Sequence, residues 1–402
     1  MREFVNKYSA IHTMSMNCLA GGTPIRSHAM TSLTKPERRE FLLGPVLAEP
    51  RSIPGCVHLA RQKNSLRNVV VKRYSLQQFL HGEVEEDPTI YIRHEVTTMK
   101  QFQHSNIQTC ITSFVSGGEV WVVTPLMPYG SVKDLMTTHM PDGLPELACC
   151  LIVRDLLHAL QYLHRQGVVH RAVRASHVLV RDSGSAVLAG LRYSTGLQAT
   201  GESSPNLYSY PLHGVTGNLA WLAPEILQQN LLGYNEASDI YSLAITICEM
   251  ANGVVPFSEM PPTLMLVEKL RGASPTLMDR STVEDRVETG QPTDSGVGDS
   301  VGSFPTDGSP ALYTSRQFSP QFHHLVTECS HLQSADRPSA QDLLGHSFIK
   351  QLRKTNTTLL TLIHPIQPLI TTQEFSSEED GLVVELMEDM GLQELDTEWI
   401  FD

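Results

Sequence analysis

The stretch "VVHRAVRASHVLV", Val168 to Val180, decides how the rest of this chain is read. Apolar residues close it at both ends, and cation-type side chains, His170, Arg171, Arg174 and His177, surround an alanine at its centre, Ala172. Just upstream, "ELACCLIVRDLLHALQYLHRQG" places Leu151, Leu156, Leu160 and Leu163 on one helical face and stops at Gly167. Downstream, "EASDIYSLAITICEMANG" predicts a more apolar helix ending at Gly253, suited to the centre of a helical lobe. On the other side, strand-like apolar runs dominate from Val57 to Val71 and at "EVWVVTPL", Glu119 to Leu126, with one helical pattern, "DPTIYIRHEVTTMKQF", between them. A two-lobed α+β architecture follows, with a small β-rich lobe carrying one helix and a larger helical lobe.

Composition agrees with a globular chain: 402 residues, 41% hydrophobic and 18% charged. The seven cysteines (Cys18, Cys56, Cys110, Cys149, Cys150, Cys248 and Cys329) are odd in number and show no C-x-x-C spacing. That argues against a zinc site and a disulfide framework, and for reduced thiols in the cytosol or nucleus. A net charge of −13 repels nucleic-acid phosphate, so no nucleic-acid partner is expected. No run approaches the ~18 apolar residues of a membrane helix, so no membrane partner is expected either. The Ser-, Thr-, Gly-, Asp- and Pro-rich run around "STVEDRVETGQPTDSGVGDSVGSFPTDGSP" reads as a disordered insertion, because helix-like sequence resumes at "PQFHHLVTECSHL". The expected organisation is a flexible tail over 1–40, one domain over 41–350 with an insertion at about 273–320, and a C-terminal tail over 351–402.

The order of motifs resembles a protein kinase domain. The pieces are "VVVK" ending at Lys72, Glu95 on the helix, "HSNI" at His104 to Ile107, "VVHRAVRASHVLV", "LAPE" ending at Glu225, "SDIYSLAITICEM" around Asp239, and "ADRPSA" around Arg337. A kinase works chiefly by positioning ATP and neutralising its phosphates with Mg²⁺. The resemblance puts the general base at Ala172, whose methyl group accepts no proton. It puts one metal-holding asparagine at His177, the loop lysine at Arg174, and the metal-holding Asp-Phe-Gly at Gly190, Leu191 and Arg192. Both metal ligands are therefore missing, and no metal site is expected. Ala48 and Pro50 fall where the first two glycines of the phosphate loop belong, and proline donates no N–H.

What remains is scaffold. Lys72 and Glu95 either pair across the small lobe or are solvated surface charges. Arg174, His177 and Arg192 either neutralise nucleotide phosphates without metal or are ordinary surface or core-facing residues. Leu126 and Met127 stand where the resemblance puts the segment that contacts the base of ATP. Glu225 is expected to pair with Arg337 beneath the helical lobe, and Asp239 to anchor the backbone of the loop.

Among pseudokinases the pattern resembles the STRAD (sterile-20-related) adaptors of the alpha type, through "WVVTPLMPYGSVKDL", "HRAVRASHVLV", "LAGLR", "WLAPEILQQNLLGY", "SDIYSLAITICEMANGVVPF", "FSPQFHHLV" and "HSFIKQ". The resemblance implies a catalytically inactive protein that binds and allosterically activates a serine/threonine kinase of the liver kinase B type (serine/threonine kinase 11). It implies ATP bound without a required metal, a helical-repeat scaffold, calcium-binding protein 39, as second partner, and location in cytoplasm and nucleus. Lys72 departs from the arginine the alpha type tends to carry, and the family's C-terminal Trp-Glu-Phe appears as Trp399, Ile400 and Phe401 followed by Asp402. Those aromatic anchors are expected to bind the scaffold. The same residues also allow a weakly active kinase of unusual mechanism or a passive kinase-binding scaffold.

Overall fold

The computed structural model describes residues 38–49, 55–76, 89–197, 207, 217–228, 233–282 and 313–370, all within the compact unit Pro36–Asp402. A 3₁₀ turn, Arg38–Glu40, leads into an antiparallel sheet of β1 (Phe41–Ala48), β2 (Gly55–Gln62), β3 (Asn68–Ser75), β4 (Thr112–Ser116) and β5 (Glu119–Pro125), in spatial order β1-β2-β3-β5-β4. Helix α1 (Thr89–Gln101) covers one face and buries Ile92, Glu95, Val96 and Met99. Trp121 is fully buried in a cluster with Phe41, Val69, Val71 and Val123. This is the small lobe read from the sequence, with β1 and β4 added to it.

The helical lobe is built on α3 (Glu146–Arg165) and α5 (Ala237–Asn252), which follow the short α2 (Val132–His139). Helix α5 buries every residue from Ser238 to Asn252, which suits its apolar sequence. It ends where predicted: Gly253 adopts φ +82 and its N–H donates to the Glu249 carbonyl, a left-handed cap that costs glycine no Cβ strain. Short strands β6 (Val168–Val169), β7 (Val178–Val180), β8 (Ala186–Leu188) and β9 (Thr195–Gly196) flank the loop of interest as two small pairs, β6 with β9 and β7 with β8. Helices α4 (Pro224–Leu227), α6 (Pro262–Arg271), α7 (Pro320–Cys329), α8 (Ala340–Leu344), α9 (Ser347–Lys350) and α10 (Leu359–Ile363) complete it. The fold is the bilobal protein-kinase fold. No helix among the described residues is long and apolar enough to cross a membrane.

Three expected boundaries move. The insertion is narrower than 273–320, because both of its arms pack on the helical lobe: Leu277, Asp279, Tyr313 and Phe318 are buried. Asp279 accepts from the Phe318 N–H at 2.8 Å, pairs with His323 at 2.8 Å and accepts from Ser281 at 2.6 Å, while Arg316 donates to the carbonyls of Met278, Asp142 and Ala251. A composition average hides such single anchoring residues. The span 283–312 lies outside the described residues. The C-terminal boundary at 351 also fails, since Leu359 and Ile363 are buried in the core and the Ile370 N–H donates to the Pro128 carbonyl at 3.0 Å. At the other end, Arg38–Glu40 belongs to the domain rather than to the tail.

Candidate functional site

Lys72 projects from β3 and Glu95 from α1, and they meet at 2.7 Å. Burial opposes charge on both, yet the carboxylate raises the Lys72 pKa above its ordinary value and the ammonium lowers that of Glu95. Both are therefore ionised, and α1 is held inward. The solvated-surface alternative is excluded, because Glu95 is 3% exposed. Burial works against the Arg192 cation, but Glu95 raises its pKa, so Arg192 serves the same carboxylate as Lys72. His94, the preceding residue on α1, lies 2.7 Å from the Ser194 carbonyl through Nε2, a second tie between helix and loop.

The loop is organised from beneath by Asp239 of α5, fully buried. Its carboxylate accepts from the backbone N–H of His170 and of Arg171, each at 2.8 Å, and lies 2.9 Å from His164 Nε2. Burial alone would raise its pKa, but those hydrogen bonds and the nearby imidazoles hold it below the usual carboxylate range. Arg171, at φ +65, donates to the Tyr193 carbonyl and, at 3.2 Å, to the Tyr234 hydroxyl. Glu225 and Arg337 form the expected bidentate pair at 2.7 and 2.8 Å, both buried.

At the chemical centre Ala172 is buried and offers only a methyl group. His177 corrects the sequence reading, which counted it among the cations. Burial and the adjacent Arg174 push its pKa well below the ordinary histidine value, so the ring is neutral. Nδ1 lies 2.8 Å from the Ala172 carbonyl and therefore carries the proton, while Nε2 accepts from Arg174 at 3.1 Å. Arg174 also donates to the Gly217 carbonyl at 2.6 Å and lies 5.7 Å over the Trp221 ring. Gly190 and His177, the two positions that the resemblance gives to metal ligands, are coupled sterically. At φ +83, a Cβ on Gly190 would lie 2.6 Å from His177 Nδ1 and 2.7 Å from its Cγ. The histidine ring fills the room that an aspartate side chain would need.

A kinase-type divalent ion requires hard oxygen donors at these two positions. A neutral nitrogen already engaged on both edges and a glycine do not fit it, and no group of three or more His, Cys, Asp or Glu among the described residues is arranged to hold a metal. Leu126 and Met127 follow β5 in the link to α2, with Met127 buried. Ala48 ends β1 as a strand residue. Pro50, Trp399, Ile400 and Phe401 lie outside the described residues.

The protein kinase domain model matches residues 54–349. The human STE20-related kinase adapter protein alpha is 42% identical over 83% of this chain and 79% of its own length, and the bovine alpha protein 40% identical over 86% and 93%. The chain belongs to the STE20-related kinase adapter family. The human beta adapter is 37% identical, over 77% of this chain and 75% of its own.

Within this adapter family site, sequence reasoning missed several residues. His94 was given no role in the sequence, and Arg171 appeared there only as one of the loop's cations. Glu249 left a signal as the second acid, with Asp239, of the apolar α5 run; it is buried and accepts from the Ala175 N–H at 3.1 Å and the Trp221 indole at 3.2 Å. Asn218 is buried with neither end of its amide partnered among the described residues, and Lys269 is fully buried. Neither leaves a trace in sequence periodicity.

Proposed function

We propose that this protein is a non-catalytic, kinase-shaped adaptor that binds and allosterically activates a serine/threonine kinase of the liver kinase B type. The observation that carries the reading is the closed Lys72–Glu95 pair at 2.7 Å beside a loop with no carboxylate at Ala172 and no metal donor at Gly190 or His177. Parts that hold an active shape are present, and parts that do chemistry are absent. Such a domain offers another kinase the surface that a substrate-bound kinase uses, biasing the client toward its own active state. The relatives are kinase adapters by name, which supports a kinase as partner.

The finer reading includes calcium-binding protein 39 as a helical-repeat scaffold bound through Trp399, Ile400 and Phe401. It includes action in cytoplasm and nucleus, with the client held in the cytoplasm. ATP, bound along Leu126 and Met127 and near Lys72, Arg174 and Arg192, contributes without a required divalent ion. His177 takes part there as a neutral ring.

Reconstitution with the client kinase and the scaffold, followed by a peptide-phosphorylation assay, tests the reading. Client turnover rises on addition of the protein, and Glu95→Ala weakens that rise while the variant stays folded. Unchanged client turnover would leave a passive scaffold. The intact Lys72–Glu95 pair also favours a second reading, a weakly active kinase. Autophosphorylation with Mg²⁺ or Mn²⁺ that disappears in Lys72→Met would establish it instead.

A further inference from the structure

Lysine is almost never fully buried unless it is paired, yet Lys269 on α6 has no exposed surface. Its Nζ donates to the carbonyls of Ala220 at 2.7 Å and Leu222 at 2.6 Å, and lies 5.0 Å from the Tyr241 ring centre and 5.9 Å from that of Phe257. Among the described residues, the charged groups facing it are Glu225 of α4 and Arg337, which precedes α8. Those two neutralise each other in their own bidentate pair. Tyr241 of α5 faces it with a ring, and burial raises the pKa of that phenol, whose hydroxyl has no partner among the described residues, so it stays protonated. The ammonium therefore has carbonyl dipoles and aromatic faces around it but no countercharge of its own. Burial, offset in part by Glu225 and reinforced by Arg337, pulls its pKa down to about 7.

The carbonyls it holds belong to the 3₁₀ turn Leu219–Trp221 and its cap Leu222, immediately before Ala223, Pro224 and Glu225. Three successive carbonyls of this turn are drawn inward, those of Ala220 and Leu222 by Lys269 and that of Trp221 by the Ser242 hydroxyl at 2.8 Å. The outer side meets the loop through Trp221, which contacts Arg174 and Glu249. We propose that Lys269 is a positioning residue whose ammonium clamps the turn Leu219–Leu222, and that loss of its proton loosens this turn, making its shape, and partner docking across it, depend on pH. Hydrogen bonds from a charged donor are roughly twice as strong as neutral ones. The neutral amine keeps two protons for the two carbonyls, but it gives up the charge that the ring faces attract. The bearing on a partner rests on the docking surface proposed above; the clamp does not.

The test uses the full-length protein with ¹³Cε-lysine and 5-fluorotryptophan labels, read by NMR from pH 6 to 9. One lysine signal, absent in Lys269→Met, titrates near neutrality. The Trp221 fluorine signal, assigned with Trp221→Phe, moves with the same midpoint. In Lys269→Arg, which keeps its charge, it stays still. A Trp221 signal that is flat in the wild type, or that titrates unchanged in Lys269→Arg, overturns the clamp; in the second outcome the buried Glu249 beside Trp221 is the titrating group. Binding of the client kinase is measured separately and weakens about fivefold between pH 6.5 and 8 in the wild type but not in Lys269→Arg, on the scale expected for losing charge assistance. If the Trp221 signal titrates as stated while client affinity does not change, the clamp stands and the docking surface fails.

Discussion

Replacing Gly190 by aspartate, the residue an active kinase would carry there, is expected to damage this protein rather than repair it. The glycine sits at φ +83, where a side chain costs about 1 kcal/mol of backbone strain. The new Cβ would lie 2.6 Å from His177 Nδ1, and that ring cannot swing aside without giving up its contacts with the Ala172 carbonyl and Arg174. Forcing extra atoms into such a packed site costs about 1–3 kcal/mol. The total is about 3 kcal/mol, which for a domain of this size lowers Tm by roughly 5 °C. Differential scanning calorimetry of Gly190→Asp, His177→Asn and the double variant measures it. Because asparagine is smaller than the imidazole, the double variant recovers about 1–3 kcal/mol relative to the sum of the singles. Additive costs, or a Gly190→Asp protein as stable as the wild type, would refute the claim that the two positions are coupled sterically.

Arg337→Ala leaves the Glu225 carboxylate buried without its partner and is expected to cost about 3–5 kcal/mol in chemical denaturation. Burial depresses the pKa of His94, His170 and His177, so the unfolded chain takes up protons near the ordinary value of 6.5 before the folded one does. Stability is therefore fully present above 6.5 and falls as pH drops below it, each histidine contributing at most about 1.4 kcal/mol per pH unit; a melting series shows the loss, and His177→Asn makes it shallower. ATP stabilisation in a thermal-shift assay is expected to survive EDTA, and strict dependence on Mg²⁺ would contradict the metal-free reading. Trp399→Ala with Phe401→Ala is expected to cost about 2 kcal/mol or more of scaffold affinity by calorimetry, with the melting temperature of the isolated protein unchanged.

Much of the fold was legible because its signals are local. The periodicity of α3 and α5 and the glycine that stops α5 are set by residues within a turn or two of one another. So was the absence of kinase-type groups at two positions, since an alanine methyl accepts no proton in any fold and glycine has no side chain to offer a metal. Pairings across more than twenty residues, Lys72 with Glu95 and Glu225 with Arg337, were reached only through the motif order. What tertiary structure alone decided were protonation and occupancy. His177 reads as a cation in the sequence and becomes a neutral hydrogen-bonding ring, because burial and Arg174 disfavour its charge. Gly190 reads as a missing ligand and becomes a position held open for that ring. That the two arms of the insertion and the segment after 351 belong to the domain was decided by Asp279, Arg316 and Leu359, whose partners lie on other elements. Lys269, one lysine in an unremarkable helix, became a buried cation facing two carbonyls only when the chain folded. Composition and spacing fix which groups are available, but a group's charge depends on the water and dipoles around it, and those are set by packing of distant segments.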